Sequence, residues 1–485
     1  MGAGVVNGRP NILFVNTDQQ PWDAIGALGN RFVRTPAIDR LLRNGMRFER
    51  SYCTDPVCCP ARSSWATGRY SSETGCLFNG GLLHADIPDV AHWLRGGGYE
   101  PAHAGKWHVD GRYLPEQGAF RLLYFGRRHI GAGAGETYDP SAVRAVLDFL
   151  DTYDGRRPFY LQLGLVDPHD ICEYLHLQEH NRVPDPVAAG LAAPDDLPPL
   201  PPNFAVAFEE LALQRAFHRA GDRSLAHAAI RRGIRDWTER DWRGLAWHLY
   251  RHVERADQHL GLILDALAQS RFRDDTLIVF SVDHGEAAGR HGLFQKFSLY
   301  EEAIRVPLVF AELGDRLGIP RGAADREHLV SGVDLLPTIL DYAGVAGAAP
   351  MRGRSLRPLI DGNAPADWPE YAYVESNVWG RAVVMSRFKY ITEYRPRADE
   401  GYRPPRGSTH ELGRELLFDL ENDPWETRDV AAAFPAEIGR ARERLRRHEA
   451  GLDSRPLNER SRPVMDAWRS ALLENGASAA AAPAT

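Results

Sequence analysis

Cys58-Cys59-Pro60-Ala61-Arg62 places a thiol two residues ahead of a proline and four ahead of an arginine. Proline is pre-shaped for the first turn of a helix, and Gly68 suits the left-handed residue that closes one. Cys58 would then lie against the N–H groups and the positive end of a short helix, with Arg62 one turn further on, a place fit for an anion. Asp18, Asp283 and His284 add two carboxylates and an imidazole, with the amide of Gln19 beside the first. A hard divalent cation takes oxygen-rich donors of this kind and tolerates one imidazole. Lys106 and His169 add a cation and an imidazole close to these positions in the expected fold. Each residue alone has an ordinary explanation: a buried cysteine is usually a small hydrophobe, and a lone lysine is usually solvated. Their placement on the chain is what joins them.

Asn11 to Asn16 is an apolar run, as expected of a buried parallel strand, and it ends at Thr17-Asp18-Gln19. A short strand before Gly105-Lys106-Trp107-His108 and another over Pro158–Val166, ending at Asp167-Pro168-His169-Asp170, follow the same form. Thr276–Val282 is the clearest strand and delivers Asp283-His284-Gly285. Asp18, Lys106, His169, Asp283 and His284 therefore each closely follow an expected strand. In mostly parallel sheets, chemistry gathers at the carboxyl ends of the strands. Helices are expected from Pro36 (with Thr35 as cap) to near Gly45, over Ile87–Leu94, Pro140–Tyr153 and Glu239–Ser270. Alternation of this sort predicts an α/β sandwich around a mostly parallel sheet. Residues 181–222, rich in Pro and Ala, read as a long excursion over one edge of the site. From about Ala366 short β-like pieces, Glu370–Val374, Ala382–Met385 and Phe388–Ile391, precede a helix over Pro435–Leu452. The expected division is a catalytic domain over 1–365, an antiparallel-sheet subdomain over 366–475 and a disordered Ala-rich tail over 476–485.

With 485 residues, 44% hydrophobic and 25% charged, the chain can bury a large core. A net charge of −7 leaves no basic stripe for nucleic acid. No apolar run is long enough for a membrane span, and no basic-then-apolar leader is visible, so a cytoplasmic protein is expected. Five cysteines, four of them between Cys53 and Cys76, do not make a disulfide framework. The adjacent pair Cys58-Cys59 also lacks zinc-ligand spacing.

The string from Cys58 to Tyr70 resembles the signature of type I sulfatases, of the alkaline phosphatase superfamily. In that family the first cysteine is oxidised to Cα-formylglycine and becomes the nucleophile, which implies modification of Cys58, and not Cys59, by a formylglycine-generating enzyme. The resemblance continues in Gly105-Lys106-Trp107-His108, Pro168-His169, Ser281–Glu286, Gly289–Phe294, Lys296 and Tyr300–Leu308, and ends in Leu416–Thr427. It implies one divalent cation held by Asp18, Gln19, Asp283, His284 and the modified residue 58. The family's first pair is Asp-Asp; Gln19 lowers the ligand charge, so calcium is expected first with magnesium or manganese as alternatives. The resemblance further implies that Lys106 and Lys296 bind the sulfate and that Arg62 steadies the hydrated aldehyde. His108 would act as the base that expels sulfate, and His169 or Lys296 would protonate the leaving alcohol. Arg305 is assigned to packing or an internal ion pair. The activity implied is hydrolysis of a sulfate monoester. A phosphonate monoester hydrolase or phosphodiesterase of the same superfamily is the nearest rival, disfavoured by Lys106 and His108. A non-catalytic binding protein of the same fold is the other. Trp107, Trp379, His169-Asp170, Glu173 and the 181–222 excursion are candidates for a carbohydrate-binding rim, with a sulfated sugar preferred over a small aryl or alkyl sulfate.

Overall fold

The computed structural model describes residues 8–109, 119–125, 135–172, 185–206, 237–347, 350–376, 380–393, 414–455 and 461. Glu173, Trp379, residues 181–184 and 207–222 of the expected excursion and the 476–485 tail lie outside them.

Apolar runs make the centre of the molecule. An eight-stranded sheet has the order β5-β4-β6-β1-β7-β8-β2-β9, built from β1 (Asn11–Asp18), β2 (Gly45–Phe48), β4 (Glu100–Gly105), β5 (Arg121–Phe125), β6 (Phe159–Pro168), β7 (Thr276–Val282), β8 (Leu308–Ala311) and β9 (Ala323–Asp325). The five strands from β5 to β7 run parallel; β8 is antiparallel to both β7 and β2. Strands β1, β6 and β7 are buried along their whole lengths, which is why their sequences read as continuous apolar runs rather than alternating ones.

Both faces of the sheet are covered. One carries α1 (Pro36–Arg43), α4 (Gly135–Thr152) and the long α5 (Glu239–Gln269), whose Leu260, Ile263, Leu264 and Leu267 join Val143, Val146 and Phe149 in one core cluster. The other carries α2 (Cys58–Thr67), α3 (Val90–Gly96) and α7 (Leu335–Ala343), packed through Cys59, Trp65, Leu94, Leu336 and Ile339. Short α6 (Glu301–Ile304) lies between β7 and β8 in the chain, and a small parallel pair joins β3 (Ser51–Tyr52) to β10 (Val330–Ser331).

The C-terminal part is a four-stranded antiparallel sheet of β11 (Tyr371–Ser376), β12 (Gly380–Met385), β13 (Phe388–Glu393) and β14 (Glu415–Asp419). Its residues alternate. Val374, Ala382, Val384, Ile391 and Phe418 face the main core, while Val383, Met385, Tyr390 and Leu417 pack on α8 (Pro435–Gly451) through Ile438 and Ala441. Strand period two explains this division of faces.

Three local expectations are corrected. Thr35 does not cap α1; its hydroxyl accepts from Gly26 N and donates to Asp39, and the Asp257 carboxylate on α5 accepts from Ala37 N at 3.0 Å and Ile38 N at 2.8 Å instead. The helix read as Ile87–Leu94 starts at Val90, because the Asp89 side chain accepts from Ala91 N and His92 N. Pro140 lies inside α4 rather than at its start, since Asp170 accepts from Gly135 N and Glu136 N and so holds the helix end further upstream. None of the helices among the described residues is long and apolar enough to cross a membrane.

Candidate active site

Asp18 is the last residue of β1, Lys106 follows β4, His169 follows β6 and Asp283 follows β7. The parallel arrangement brings all four to one edge of the sheet. Two close approaches fix that edge. A Cβ at Gly105 (φ +85°) would fall 2.1 Å from Gly164 O, and one at Gly285 would fall 1.9 Å from Glu302 O. Only glycine allows β4 to turn Lys106 inward, or the 285–300 loop to lie on α6.

Cys58 opens α2, a wholly buried helix that ends at Gly68 in the left-handed conformation (φ +67°), with Gly68 N donating to Ser64 O at 2.8 Å. The Cys58 sulfur, standing where the oxygens of a modified residue would be, is 2.9 Å from Lys296 Nζ, 3.2 Å from His284 Nε2 and 3.7 Å from Asp18 Oδ1. Arg62, one turn along α2, donates from its Nε to Asp283 Oδ2 at 2.8 Å, and from its terminal nitrogens to Asp18 Oδ2 at 2.9 Å and Lys106 O at 3.0 Å. Lys106 Nζ sits 2.7 Å from Asp18 Oδ2. Lys296 Nζ also donates to Gln19 Oε1 at 3.0 Å. Cys59, by contrast, packs into the core, and its N–H donates to Asn79.

Burial shapes the electrostatics. It opposes charge on Asp18, yet the Lys106, Arg62 and Lys296 charges hold that carboxyl well below its ordinary pKa. Burial and the Asp18 charge push Asp283 up. Burial and Asp18 also push the Cys58 thiol up, but Lys296, Lys106 and His284 outweigh them and bring it well below the usual thiol value. Burial, then Lys106 and Lys296, hold His169 well below the usual imidazole range, so it is neutral at neutral pH. Lys296 is pushed up, because Cys58 and Asp18 outweigh burial.

The donor set fits a divalent cation. One ligand atom from each of Asp18, Cys58, Asp283 and His284 lies within 4.8 Å of the others, and all four residues are buried. His284 Nδ1 lies 3.0 Å from Gly285 O, which makes Nδ1 the N–H donor and leaves the lone pair on Nε2, the atom facing Cys58. The Nδ1 atoms of His108 and His169 are buried with no hydrogen-bond partner among the described residues, leaving them for a ligand.

The candidate catalytic and metal-ligating residues stand at or next to this edge, whereas the rim candidates fare differently. Trp107 is 5% exposed and packs edge-on against His103 and Phe120, so it belongs to the core. Glu173 and Trp379 lie outside the described residues. Arg305 packs over the Trp22 ring at 3.9 Å and donates to Glu49 O at 2.7 Å, in line with a structural role. Two positions escaped the sequence reading. Asp167 pairs with Arg255 and lies 3.3 Å from His252 Nδ1, steadying the turn that presents His169. Glu286 is buried against Gln19 at 2.5 Å. Its place directly after Asp283-His284-Gly285 was the available signal.

The family model for sulfatases matches residues 10–345, and the model for the C-terminal part of N-sulphoglucosamine sulphohydrolase matches residues 289–438. An N-acetylglucosamine-6-O-sulfatase of Bacteroides thetaiotaomicron is 25% identical over 87% of this chain and 82% of its own. Among solved structures, a putative sulfatase of the same organism superposes with a TM-score of 0.76 at 23% identity, covering 95% of this chain and 94% of the other. A phosphonate monoester hydrolase of Agrobacterium radiobacter superposes with a TM-score of 0.70 at 24% identity, covering 92% and 96%. With a matching model over most of its length and the family's motif residues gathered at one sheet edge, this chain belongs to the sulfatase family and is a sulfuric ester hydrolase of the alkaline phosphatase superfamily.

Proposed function

We propose that the enzyme hydrolyses a sulfate monoester, with residue 58 as formylglycine and one divalent cation held by Asp18, Gln19, Asp283 and His284. The supporting observation is the convergence on the Cys58 sulfur of Lys296 at 2.9 Å and His284 at 3.2 Å, with Lys106 and Arg62 holding Asp18 behind them. When present, the cation supplies Lewis acidity and the hydrated aldehyde supplies an oxygen nucleophile that a thiol cannot replace in turnover. Calcium is proposed first, with magnesium and manganese as alternatives, since Gln19 brings a neutral oxygen.

The chain's own residues do the rest. Lys106 and Lys296 neutralise the sulfate oxygens as charge develops. Lys296 keeps its proton in this environment and is the better donor to the leaving oxygen, whereas His169, held neutral, orients that oxygen by hydrogen bonding. His108, with its free Nδ1, is the base of the second half-reaction. The guanidinium of Arg62 is taken up by Asp18, Asp283 and the Lys106 carbonyl, so its role is to fix the two carboxylates rather than to touch the nucleophile. The 6-O-sulfated amino sugar in the name of the bacterial relative supports a sulfated sugar as the substrate class. We also propose the catalytic and C-terminal division at residues 365 and 366, and maturation by a formylglycine-generating enzyme.

The test compares aryl sulfate and aryl phosphonate monoester hydrolysis by one preparation, with and without chelator, alongside peptide mass spectrometry of residue 58. Faster sulfate hydrolysis, lost in chelator and dependent on an aldehyde at 58, is the expected result. Phosphonate hydrolysis exceeding sulfate hydrolysis would transfer the assignment to the phosphonate monoester hydrolase branch.

A further inference from the structure

Gln19 is an amide with an oxygen at one end and a nitrogen at the other, and only the oxygen can serve a cation. Both ends are engaged. Oε1 accepts from Lys296 Nζ at 3.0 Å, and Nε2 donates to Glu286 Oε2 at 2.5 Å. The second oxygen of Glu286 is also engaged, accepting from Ala288 N at 3.1 Å and Gln295 N at 2.5 Å. Glu286 is 1% exposed, so its carboxylate has no use as a solubilising charge. The loop it holds is bent sharply: Ala288, His291, Gln295 and Phe297 all have positive φ, a conformation that costs energy for non-glycine residues. One buried carboxylate thus grips both Gln19 and the backbone just before Lys296.

We propose that Glu286 is a positioning residue that fixes the direction of the Gln19 amide, so that an oxygen and not an N–H group faces the cation site and Lys296. This rests on the divalent-cation reading above. The chemistry of the neighbouring atoms leaves one solution. An ammonium can only donate, so Lys296 demands an oxygen, and a carboxylate accepting from two backbone N–H groups can only accept from Gln19. Glu286→Gln reverses this. The N–H groups of Ala288 and Gln295 keep the new amide oxygen on their side, so its nitrogen faces Gln19. Gln19 must then turn over, aiming its own N–H groups at Lys296 and the cation site. A second change restores the pattern: in Gln19→Glu combined with Glu286→Gln, the carboxylate at 19 accepts from the amide at 286 and offers its other oxygen to the cation, with total charge unchanged.

The experiment is calorimetric titration of calcium and of manganese into full-length protein stripped by chelator, with thermal melting of each variant. E286Q is expected to bind both cations about 10–100-fold more weakly than wild type. The Q19E/E286Q double variant is expected to bind at least as tightly as wild type, which a purely structural role for Glu286 would not produce. Wild-type affinity in E286Q, or a folded double variant binding no tighter than E286Q, overturns the assignment. Should E286Q fail to fold, the double variant is read against Q19E, in which two carboxylates meet; tighter binding by the double variant supports the assignment and equal binding overturns it. A wild-type protein that binds neither cation overturns the metal reading itself, and this inference with it.

Discussion

Two buried clusters of charge, joined through the 285–304 segment, put similar side chains to opposite uses. The first holds Asp18 and Asp283 against Arg62, Lys106 and Lys296. The second holds Glu301, Glu302 and Glu426 against Lys389 and His291: Lys389 Nζ lies 2.5 Å from Glu426 and 3.2 Å from Glu301, and His291 Nδ1 lies 2.8 Å from Glu302. Gly285 N donates to Ala303 O at 2.8 Å, so the two clusters share a backbone link. The first has positive charge in excess of its carboxylates and, beside it, two imidazole nitrogens without hydrogen-bond partners among the described residues. On the proposed function, the anionic substrate completes it. The second pairs its carboxylates internally and closes on itself, tying β13 to α6 and to the 419–430 turn. Buried charge is costly unless it is paired; one cluster keeps pairing capacity for a substrate, and the other spends it on joining the C-terminal sheet to the catalytic core.

The comparison breaks most readily at the nucleophile. Cys58→Ala should reduce turnover on the order of a million-fold, the scale of removing a nucleophile in other hydrolases, with the melting temperature unchanged or raised. Lys389→Met should do the reverse. It removes the ammonium shared by two buried carboxylates, Glu301 and Glu426, an effect of about 3–5 kcal/mol on unfolding free energy, while kcat per folded molecule stays near wild type. Denaturant unfolding and active-site-normalised kinetics on both variants check the pair. A Lys389→Met variant that is fully stable but inactive would mean the second cluster belongs to catalysis.

How far this was legible in the sequence differs between the clusters for the same physical reason. Strands β1, β6 and β7 were readable because burial on both faces makes them predominantly apolar, and Asp18, His169 and Asp283 stood out as ionisable groups close after those runs. The second cluster gave no such sign. Lys389 occupies a strand that reads as half exposed, and its partners are 88 residues away at Glu301 and 37 at Glu426. Asp257, capping α1 from a neighbouring helix some 220 residues away in the chain, is hidden in the same way. Trp107 misled because an aromatic next to catalytic residues looks the same in sequence whether it faces a ligand or the core.

Lys296→Ala sharpens the comparison from the catalytic side. Loss of a preorganised charge of this kind costs roughly 10²–10³-fold in kcat, and no paired cluster collapses, so melting should be close to wild type. The deficit should shrink for sulfates with acidic leaving groups, which need no proton from Lys296. A constant deficit across leaving groups would restrict Lys296 to binding sulfate oxygens.

The smallest effect is a pH signature that Glu426 should add. Burial raises Glu426, and the charges of Glu301 and Glu302 add to this against the opposing Lys389 and His291, giving a pKa of about 7 against an ordinary value of 4.5. The folded protein thus holds a proton that the unfolded chain releases. This contribution to stability is fully present below about pH 4.5 and is lost as pH rises through about 7. Glu426→Gln keeps the shape of the group and makes the proton's presence permanent. The variant should therefore lose less stability than wild type between pH 5 and pH 8, with Lys389 still paired to Glu301. Chemical denaturation at a series of pH values measures the slope directly. An identical slope in the variant and wild type would show that this pH dependence does not arise at Glu426.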